Sequence, residues 1–388
     1  MKGRRLLMIP GPIEFEPDVL QAMGQATTSH VAADFIEVFG RALERMRQVF
    51  LCPGGQPFVV AGSGTLAMDM AASNLVEPGD HALVVSTGYF GERFAAILER
   101  YGAQVTMVRA PLGAAPALDE VEEALGQRDF KLVTVTHVDT STGVLTDVKG
   151  VAALAQRYGA LSVVDGVCAT AAEECRQEEW GIDICLTASQ KAIGTPPGLA
   201  LLMASPRALE AWRRRKAPVA NYYADWANWL PVMEAYEARK AAYFATPAVN
   251  LVAALDVSLG HILAEGLEAR FRRHVRIGAA CKEGIAALGL TQLAQPAVAA
   301  HTMTAPYYPA GIGPEVLKAI LEAGVILAGG LHPEIKGRYF RIGHMGSVSD
   351  GDILATLGAV ERGLAAAGYR FEAGAGVAAA QRELLRGS

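Results

Sequence analysis

Short apolar runs punctuate the first half of the chain at Phe58–Ala61, Ala82–Val85, Val105–Val108, Leu132–Thr136, Leu161–Val164, Ile184–Leu186 and Leu199–Met203. Each is rich in Val or Leu and lacks a polar alternation, the pattern of strands covered on both faces. Between most of them, apolar positions recur at helical spacing, as in Phe90–Tyr101, Leu118–Leu125 and Val148–Tyr158. Gly102 and Gly159 follow two of these stretches, where a glycine can close a helix. Strand–helix alternation predicts an α/β fold with a mostly parallel sheet. After about residue 205 helical patterns dominate, with a polar-aromatic insert from Asn221 to Trp229. From about residue 260 the pattern is helix, strand, helix, strand, helix, and Lys336–Arg338 is a turn before a strand-like Tyr339–Ile342. The expected division is a segment, 1–15, running over the body of the protein and its active site; a large domain, 16–259; and a small C-terminal α+β domain, 260–388.

The chain has 388 residues, more than one hydrophobic core accommodates. Hydrophobic residues make up 51% and charged residues only 19%, which excludes disorder and leads us to expect a buried subunit interface. A net charge of −5 offers nothing to nucleic acid. No apolar stretch is long enough to span a bilayer, and Leu6–Ile9 is too short for a secretory signal. The terminal Leu385–Ser388 is no peroxisomal address. Five scattered cysteines without a Cys-x-x-Cys pair read as reduced thiols of a cytoplasmic protein, and no His/Cys/Asp cluster has metal-ligand spacing.

Four features carry chemistry. Gly62-Ser63-Gly64-Thr65 joins a strand to a helix, where free backbone N–H groups and the helix dipole suit a phosphate; a plain turn is the alternative. Asp165 ends a buried strand, at the edge where open parallel sheets bind ligands; capping the following turn is the commoner role for one Asp. Lys191 follows the strand Ile184–Leu186 among small residues and precedes the rigid Gly194–Gly198 loop, so a desolvated amine nucleophile is favoured over a surface lysine. Arg341 interrupts an apolar strand, a placement suited to gripping a carboxylate with two hydrogen bonds; alone it would read as an edge-strand arginine in water. Together these supply a phosphate cradle, a partner for a ring nitrogen, an amine for a Schiff base and a carboxylate grip, which are the parts pyridoxal phosphate catalysis needs.

The chain resembles the class V, fold type I aminotransferases, in particular their alanine–glyoxylate and serine–glyoxylate branch. The motifs that carry the resemblance are Gly62–Ala67, Leu75–Asp80, His137–Val144, Val164–Val167, Ser189–Ala192 with Pro196–Gly198, Tyr243–Pro247 and Leu327–Gly330 before Arg341–Gly343. The resemblance implies a fold type I architecture: a large domain with a mostly parallel seven-stranded sheet between helices, and a smaller C-terminal domain. It also implies pyridoxal 5'-phosphate as cofactor, carried by Lys191 as a Schiff base, with Asp165 on the pyridine nitrogen. Ser63, Gly64, Thr65 and Gln190 would hold the phosphate, and Tyr243 and Thr246 would reach the phosphate in the neighbouring subunit of a homodimer. Phe90 would stack on the ring, where some members have tryptophan, and Val167 would line the cofactor. Thr140 would touch both cofactor and substrate. Arg341 would bind the substrate carboxylate, with the backbone around Gly11 closing the site.

The expected activity is transfer of the amino group of a small L-amino acid, alanine or else serine, to glyoxylate by a ping-pong mechanism, giving pyruvate or hydroxypyruvate and glycine. Small residues around the site, and no second arginine assignable to a distal carboxylate, favour small donors. A lyase of the same fold, such as a cysteine desulfurase, needs a cysteine on a mobile loop in the C-terminal third, and the last cysteine here is Cys281 in a helical stretch. A regulatory, non-enzymatic descendant conflicts with the intact Lys191, Asp165 and Arg341. The run Arg213–Lys216 reads as a solvated face, Tyr222, Tyr223, Trp226 and Trp229 as packing for an interface or loop, and His137 as a hydrogen-bonded structural residue.

Overall fold

All seven apolar runs are strands in the computed structural model, which describes residues 5–386. The first four residues of the expected 1–15 segment, and the last two of the terminal Leu385–Ser388, lie outside the described residues. The strands are β1 (Gln56–Ala61), β2 (His81–Ser86), β3 (Gln104–Arg109), β4 (Leu132–Thr136), β5 (Leu161–Asp165), β6 (Ile184–Ala188) and β7 (Leu199–Ala204). They form one seven-stranded sheet in the order β3-β2-β4-β5-β6-β7-β1. The neighbours from β3 to β6 pair in parallel, and β7 runs antiparallel between β6 and β1. Successive residues of β4, β5, β6 and β7 are all buried, so both faces of the central strands are covered. That coverage explains why these strands read as continuous Val/Leu runs.

Helices follow the strands: α1 (Ala33–Val49) precedes β1, and α2 (Gly64–Leu75), α3 (Tyr89–Arg100), α4 (Leu118–Leu125) and α5 (Val148–Arg157) connect the strands that come after it. Gly102 and Gly159 adopt φ of 85° and 76° just beyond α3 and α5, a region costly for residues with a Cβ. The aromatic insert departs from expectation. Trp226 and Trp229 are 0% and 1% exposed, and Trp226 stacks on Phe58 of β1 with ring centroids 5.2 Å apart. They belong to the chain's own core, while Tyr222 remains exposed. The basic run is only partly solvated, because Arg215 is half-buried and donates to the Val76 carbonyl at 2.7 Å.

Two long helices, α6 (Val249–Glu265) and α7 (Leu267–Ala287), meet at Gly266 with a bend of 85°. Among the described residues, no single helix is long and apolar enough to cross a membrane. Beyond the bend lies a second core, built from Ile277, Ile285, Phe340, Ile342, Leu357 and Leu364, which α8 (Asp350–Ala366) and α9 (Ala375–Arg386) help to cover. Its antiparallel sheet runs β8 (Met303–Thr304), β10 (Phe340–Gly343), β9 (Ala328–Gly329).

The N-terminal segment is built into this second unit. Leu6–Leu7 pairs in parallel with Val325–Ile326, Met8 is buried in the second core, and the Gly343 N–H donates to the Met8 carbonyl at 2.9 Å. A Cβ at Gly343 would lie 2.6 Å from Pro10 Cα, so the strand and the segment touch backbone to backbone. Gly343→Ala should therefore destabilise the protein by roughly 1–3 kcal/mol in urea unfolding, the usual cost of overpacking. It should also accelerate tryptic cleavage after Arg5. An unchanged digestion pattern would show that the contact does not fix the segment.

Candidate active site

The carboxyl ends of β1, β2, β4, β5 and β6 open at one edge of the sheet, and the sequence places a polar group at or just beyond each. Asp165 is the last residue of β5 and is 1% exposed. Its Oδ1 accepts the Val167 N–H at 3.0 Å. Burial above all pushes its pKa up, to about 7; the nearby Asp139 adds to the rise, while the Val167 N–H, Lys191 and Arg93 oppose it. Lys191 lies three residues beyond the end of β6 and is 8% exposed. Its Nζ donates to the Pro10 carbonyl. Burial lowers the pKa of the amine, assisted by the charge of Arg341, while Cys168 and Asp165 pull it upward.

Gly11 shows how tightly the N-terminal segment lies on this lysine. Its φ is 87°, and a Cβ there would sit 2.7 Å from Lys191 Cε and 2.8 Å from Nζ. Just beyond, the Ile13 N–H donates to the Gln190 carbonyl at 3.1 Å. On the other side, Arg341 of β10 points back to the large sheet. Its Nε donates to Gly329 O at 2.9 Å and its Nη1 to Thr140 O at 3.2 Å. Thr140 is 5% exposed. The rest of the guanidinium fork is uncommitted and can take a carboxylate.

The phosphate cradle opens α2. Ser63 is exposed at the N-cap with no side-chain capping bond, and Gly64 is buried so close to Val167 that a Cβ would lie 2.8 Å from Val167 Cγ2. Gln190 has its side-chain oxygen buried without a partner. Thr65 Oγ1 is already engaged by Arg93, at 3.1 Å from its Nη1. The same guanidinium lies over the Phe90 ring, 4.9 Å from its centroid.

Ser63, Gly64, Thr65, Phe90, Thr140, Asp165, Val167, Gln190, Lys191, Gly11 and Arg341 thus converge on this edge. Tyr243 and Thr246 do not join them. Both are exposed just before α6, and Tyr243 packs against His30, with ring centroids 5.1 Å apart. His137 is anchored through its backbone, its N–H donating to Asp165 O at 2.9 Å, but its buried Nδ1 has no partner and burial depresses its pKa to about 4.

Three supporting residues escaped the sequence reading. Asp139 is fully buried; its Oδ2 accepts the Phe90 N–H at 3.0 Å and its Oδ1 the Ser141 N–H at 2.8 Å. It caps α3 from a distant loop and so fixes Phe90, since Gly88 at the N-cap has no side chain to do it. Arg270 is 6% exposed and donates to Ala171 O at 2.7 Å, Ala192 O at 2.8 Å and Glu265 Oε2 at 2.7 Å. It thereby ties the loop after Asp165, where Ala171 holds a positive φ of 66°, to the loop of Lys191. Arg93 is the third. The i, i+3 spacing from Phe90 was the available signal for it.

The model of the family described as "Aminotransferase class-V" matches residues 18–344. The chain belongs to the class-V aminotransferase family. Alanine–glyoxylate aminotransferase 1 of Saccharomyces cerevisiae is 42% identical over 354 residues, covering 88% of this chain and 91% of that protein. The L-aspartate–glyoxylate aminotransferase of Paracoccus denitrificans is 33% identical and covers 98% and 96%. Among solved structures, alanine–glyoxylate aminotransferase from Nostoc sp. superposes with a TM-score of 0.88 at 31% identity, over 93% of this chain and 96% of that one. The protein is an aminotransferase of fold type I, and its family implies pyridoxal phosphate. The residues present fit that group: an exposed uncapped helix N-terminus, and a buried carboxylate and amine each bonded to backbone rather than to each other.

The raised pKa of Asp165 has a signed consequence for the cofactor-free protein. The unfolded carboxyl loses its proton near its ordinary value of 3.8, and burial moves the folded one up to about 7. Folding stability is therefore lowered progressively as pH rises through that window and stays lowered above it. Against Asp165→Asn, which carries no charge, wild-type apoprotein should be nearly equal in stability at pH 4. It should fall behind by up to about 4 kcal/mol at pH 8. Urea unfolding of both proteins across that range tests this, and a pH-independent difference would refute it.

Proposed function

We propose that this class-V aminotransferase moves the amino group of a small L-amino acid, alanine in the first instance, to glyoxylate, yielding pyruvate and glycine by a ping-pong mechanism. The observation that carries this reading is Arg341, whose guanidinium donates to the Gly329 and Thr140 carbonyls and whose charge helps to lower the pKa of the Lys191 amine. Another guanidinium at this edge, Arg93, donates to Thr65 of the expected cradle. A donor with a second carboxylate would have to compete with the cradle for Arg93. Serine satisfies the same requirement and is the alternative donor. A desulfurase reading is disfavoured: Cys281 is 0% exposed inside α7, and burial pushes its thiol up to about 11.

When bound, pyridoxal phosphate supplies an aldehyde that accepts the amino group and a ring that stabilises charge developing at the donor's Cα. Ser63, Gly64, Thr65 and Gln190 would hold its phosphate, Phe90 and Val167 its ring, and Lys191 its aldehyde. The remaining work falls to the chain. Asp165, in a site with little water, holds a proton at the ring nitrogen. Arg341 fixes the donor's carboxylate, and so turns its Cα–H bond toward Lys191. The lysine amine, with its pKa lowered by burial, takes the proton from that carbon and returns it on the other side of the transfer. Thr140, whose carbonyl anchors Arg341, links the grip to the cofactor loop. The segment at Pro10–Gly11 shields the lysine from water.

We also propose a homodimer in which Tyr243 and Thr246 complete the neighbour's phosphate site. The support is their exposure together with Tyr222 at 78%, Tyr243 at 64% and Leu20 at 49%, an unusual load of bare apolar surface. The five cysteines are all free, which fits a reducing, cytoplasmic setting.

The test is spectroscopic. L-Alanine added without acceptor should bleach the visible band of the loaded enzyme, and glyoxylate should restore it. The first half-reaction should run at least about ten-fold faster with alanine than with aspartate or glutamate. Faster reaction with a dicarboxylic donor would overturn the substrate assignment. Arg341→Met should lower kcat/KM for alanine by about 10²–10³-fold, consistent with removing one partner of a buried charge pair.

A further inference from the structure

A second guanidinium without an ion pair reaches the site, and the reaction chemistry described above does not use it. Arg93 lies in the second turn of α3, half-buried. Several other partly buried arginines have a carboxylate partner: Arg41 and Arg45 share Asp256, and Arg270 and Arg273 share Glu265. Among the described residues Arg93 has none. Its polar contacts are Thr65 Oγ1 at 3.1 Å and the Tyr89 hydroxyl at 3.4 Å, and it lies over the rings of Tyr89 and Phe90 at 5.0 and 4.9 Å. Neither hydroxyl nor ring neutralises it. An unneutralised guanidinium in a partly desolvated cleft marks a place for an anion.

Thr65 says which anion. It is the second residue of α2, one position past buried Gly64, so its backbone is part of the helix N-terminus that receives a phosphate in this reading. The cradle's own groups are all neutral: Ser63, Gly64, Thr65 and Gln190 offer amides and hydroxyls but no full charge. A phosphate ester carries between one and two negative charges at neutral pH. Backbone dipoles and one helix end offset only part of that charge. Lys191, the other cation nearby, is committed to the aldehyde end of the same molecule.

We propose that Arg93 is the counter-charge of the cofactor's phosphate, holding it in concert with Thr65. Its guanidinium also lies over the Phe90 ring. The inference rests on the pyridoxal phosphate reading of the site and adds a residue to it. It also accounts for small donors: if Arg93 is taken by phosphate, it is not free for a distal carboxylate.

The experiment compares two ligands that differ only in the phosphate. Apoprotein of wild type, Arg93→Lys and Arg93→Met is titrated with pyridoxal phosphate and with pyridoxal, following intrinsic fluorescence. Thermal melting of each apoprotein is recorded with and without inorganic phosphate. We expect Arg93→Met to raise Kd for pyridoxal phosphate by about 10–100-fold, the range for losing a charge-assisted contact. Arg93→Lys should have a smaller effect, and the Kd for pyridoxal should stay within about two-fold in all three. Phosphate should raise the Tm of wild type but not of Arg93→Met. Equal weakening toward both ligands would overturn the proposal in favour of a purely structural role for Arg93. Unchanged affinity for both would overturn it outright, and a defect confined to aspartate turnover would reassign the guanidinium to substrate. If wild-type apoprotein binds neither ligand, the cofactor reading itself fails and the proposal falls with it.

Discussion

Burying an amine, a carboxylate and a guanidinium close together without letting them neutralise one another is the constraint on which this structure turns. Each charged group taken out of water costs several kcal/mol, and the ordinary remedy is mutual pairing. Here each finds backbone instead: Lys191 donates to Pro10 O, Asp165 accepts from Val167 N, and Arg341 donates to Gly329 O and Thr140 O. A peptide dipole satisfies a hydrogen bond but leaves the charge unspent. A Lys191–Asp165 salt bridge would have closed the site, because a ligand would first have to break it. The raised carboxyl and lowered amine pKa values record that the desolvation is only partly offset.

Such an arrangement survives only if the surrounding fold holds it in place, and the holding elements come from the whole length of the chain. The N-terminal segment is trapped between two near-contacts that tolerate no Cβ, Gly11 against Lys191 and Gly343 against Pro10. Arg270, at the start of α7, ties the Asp165 and Lys191 loops through carbonyls on each and is itself neutralised by Glu265. Asp139 fixes Phe90 by capping its helix across the loop. The large sheet supplies the geometry, and these three ties remove its remaining freedom.

Much of this was legible in the residues, and what was not has a physical reason. The central strands were visible because strands of a doubly covered sheet have no polar face, so composition alone marks them; the edge strand β3 is only half-buried and was visible from its valines. Lys191 and Asp165 were visible because a charge at the end of such a run needs an explanation. Trp226 and Trp229 were assigned to an interface or a loop because polar residues such as Asn221, Asp225 and Asn228 surround them in the sequence, whereas they lie in the chain's own core. The polar groups serve turns and caps, as when Asp225 accepts from Ala227 N, while the rings turn inward. Arg270 and Asp139 were hidden for a different reason: their roles arise from contacts across large sequence separations, which leave no trace in local spacing. Arg93 had its i, i+3 spacing from Phe90 as a signal, but its lack of a counter-ion shows only in the fold.

The placement of cations also bears on what the enzyme can choose between. Donor, acceptor and both products of a ping-pong transamination present a carboxylate next to the reacting carbon, so Arg341 in its proposed role would grip all of them in turn. A contact shared by every substrate cannot discriminate among them. Selection therefore depends on what surrounds the rest of each molecule. For apolar additions the leverage is modest, about 1–3 kcal/mol for a methylene. For a second carboxylate it is larger, because a charge buried without a partner costs more than a methylene gains. On the proposed role of Arg93, its engagement at the cradle leaves a dicarboxylic donor without a partner for its second charge.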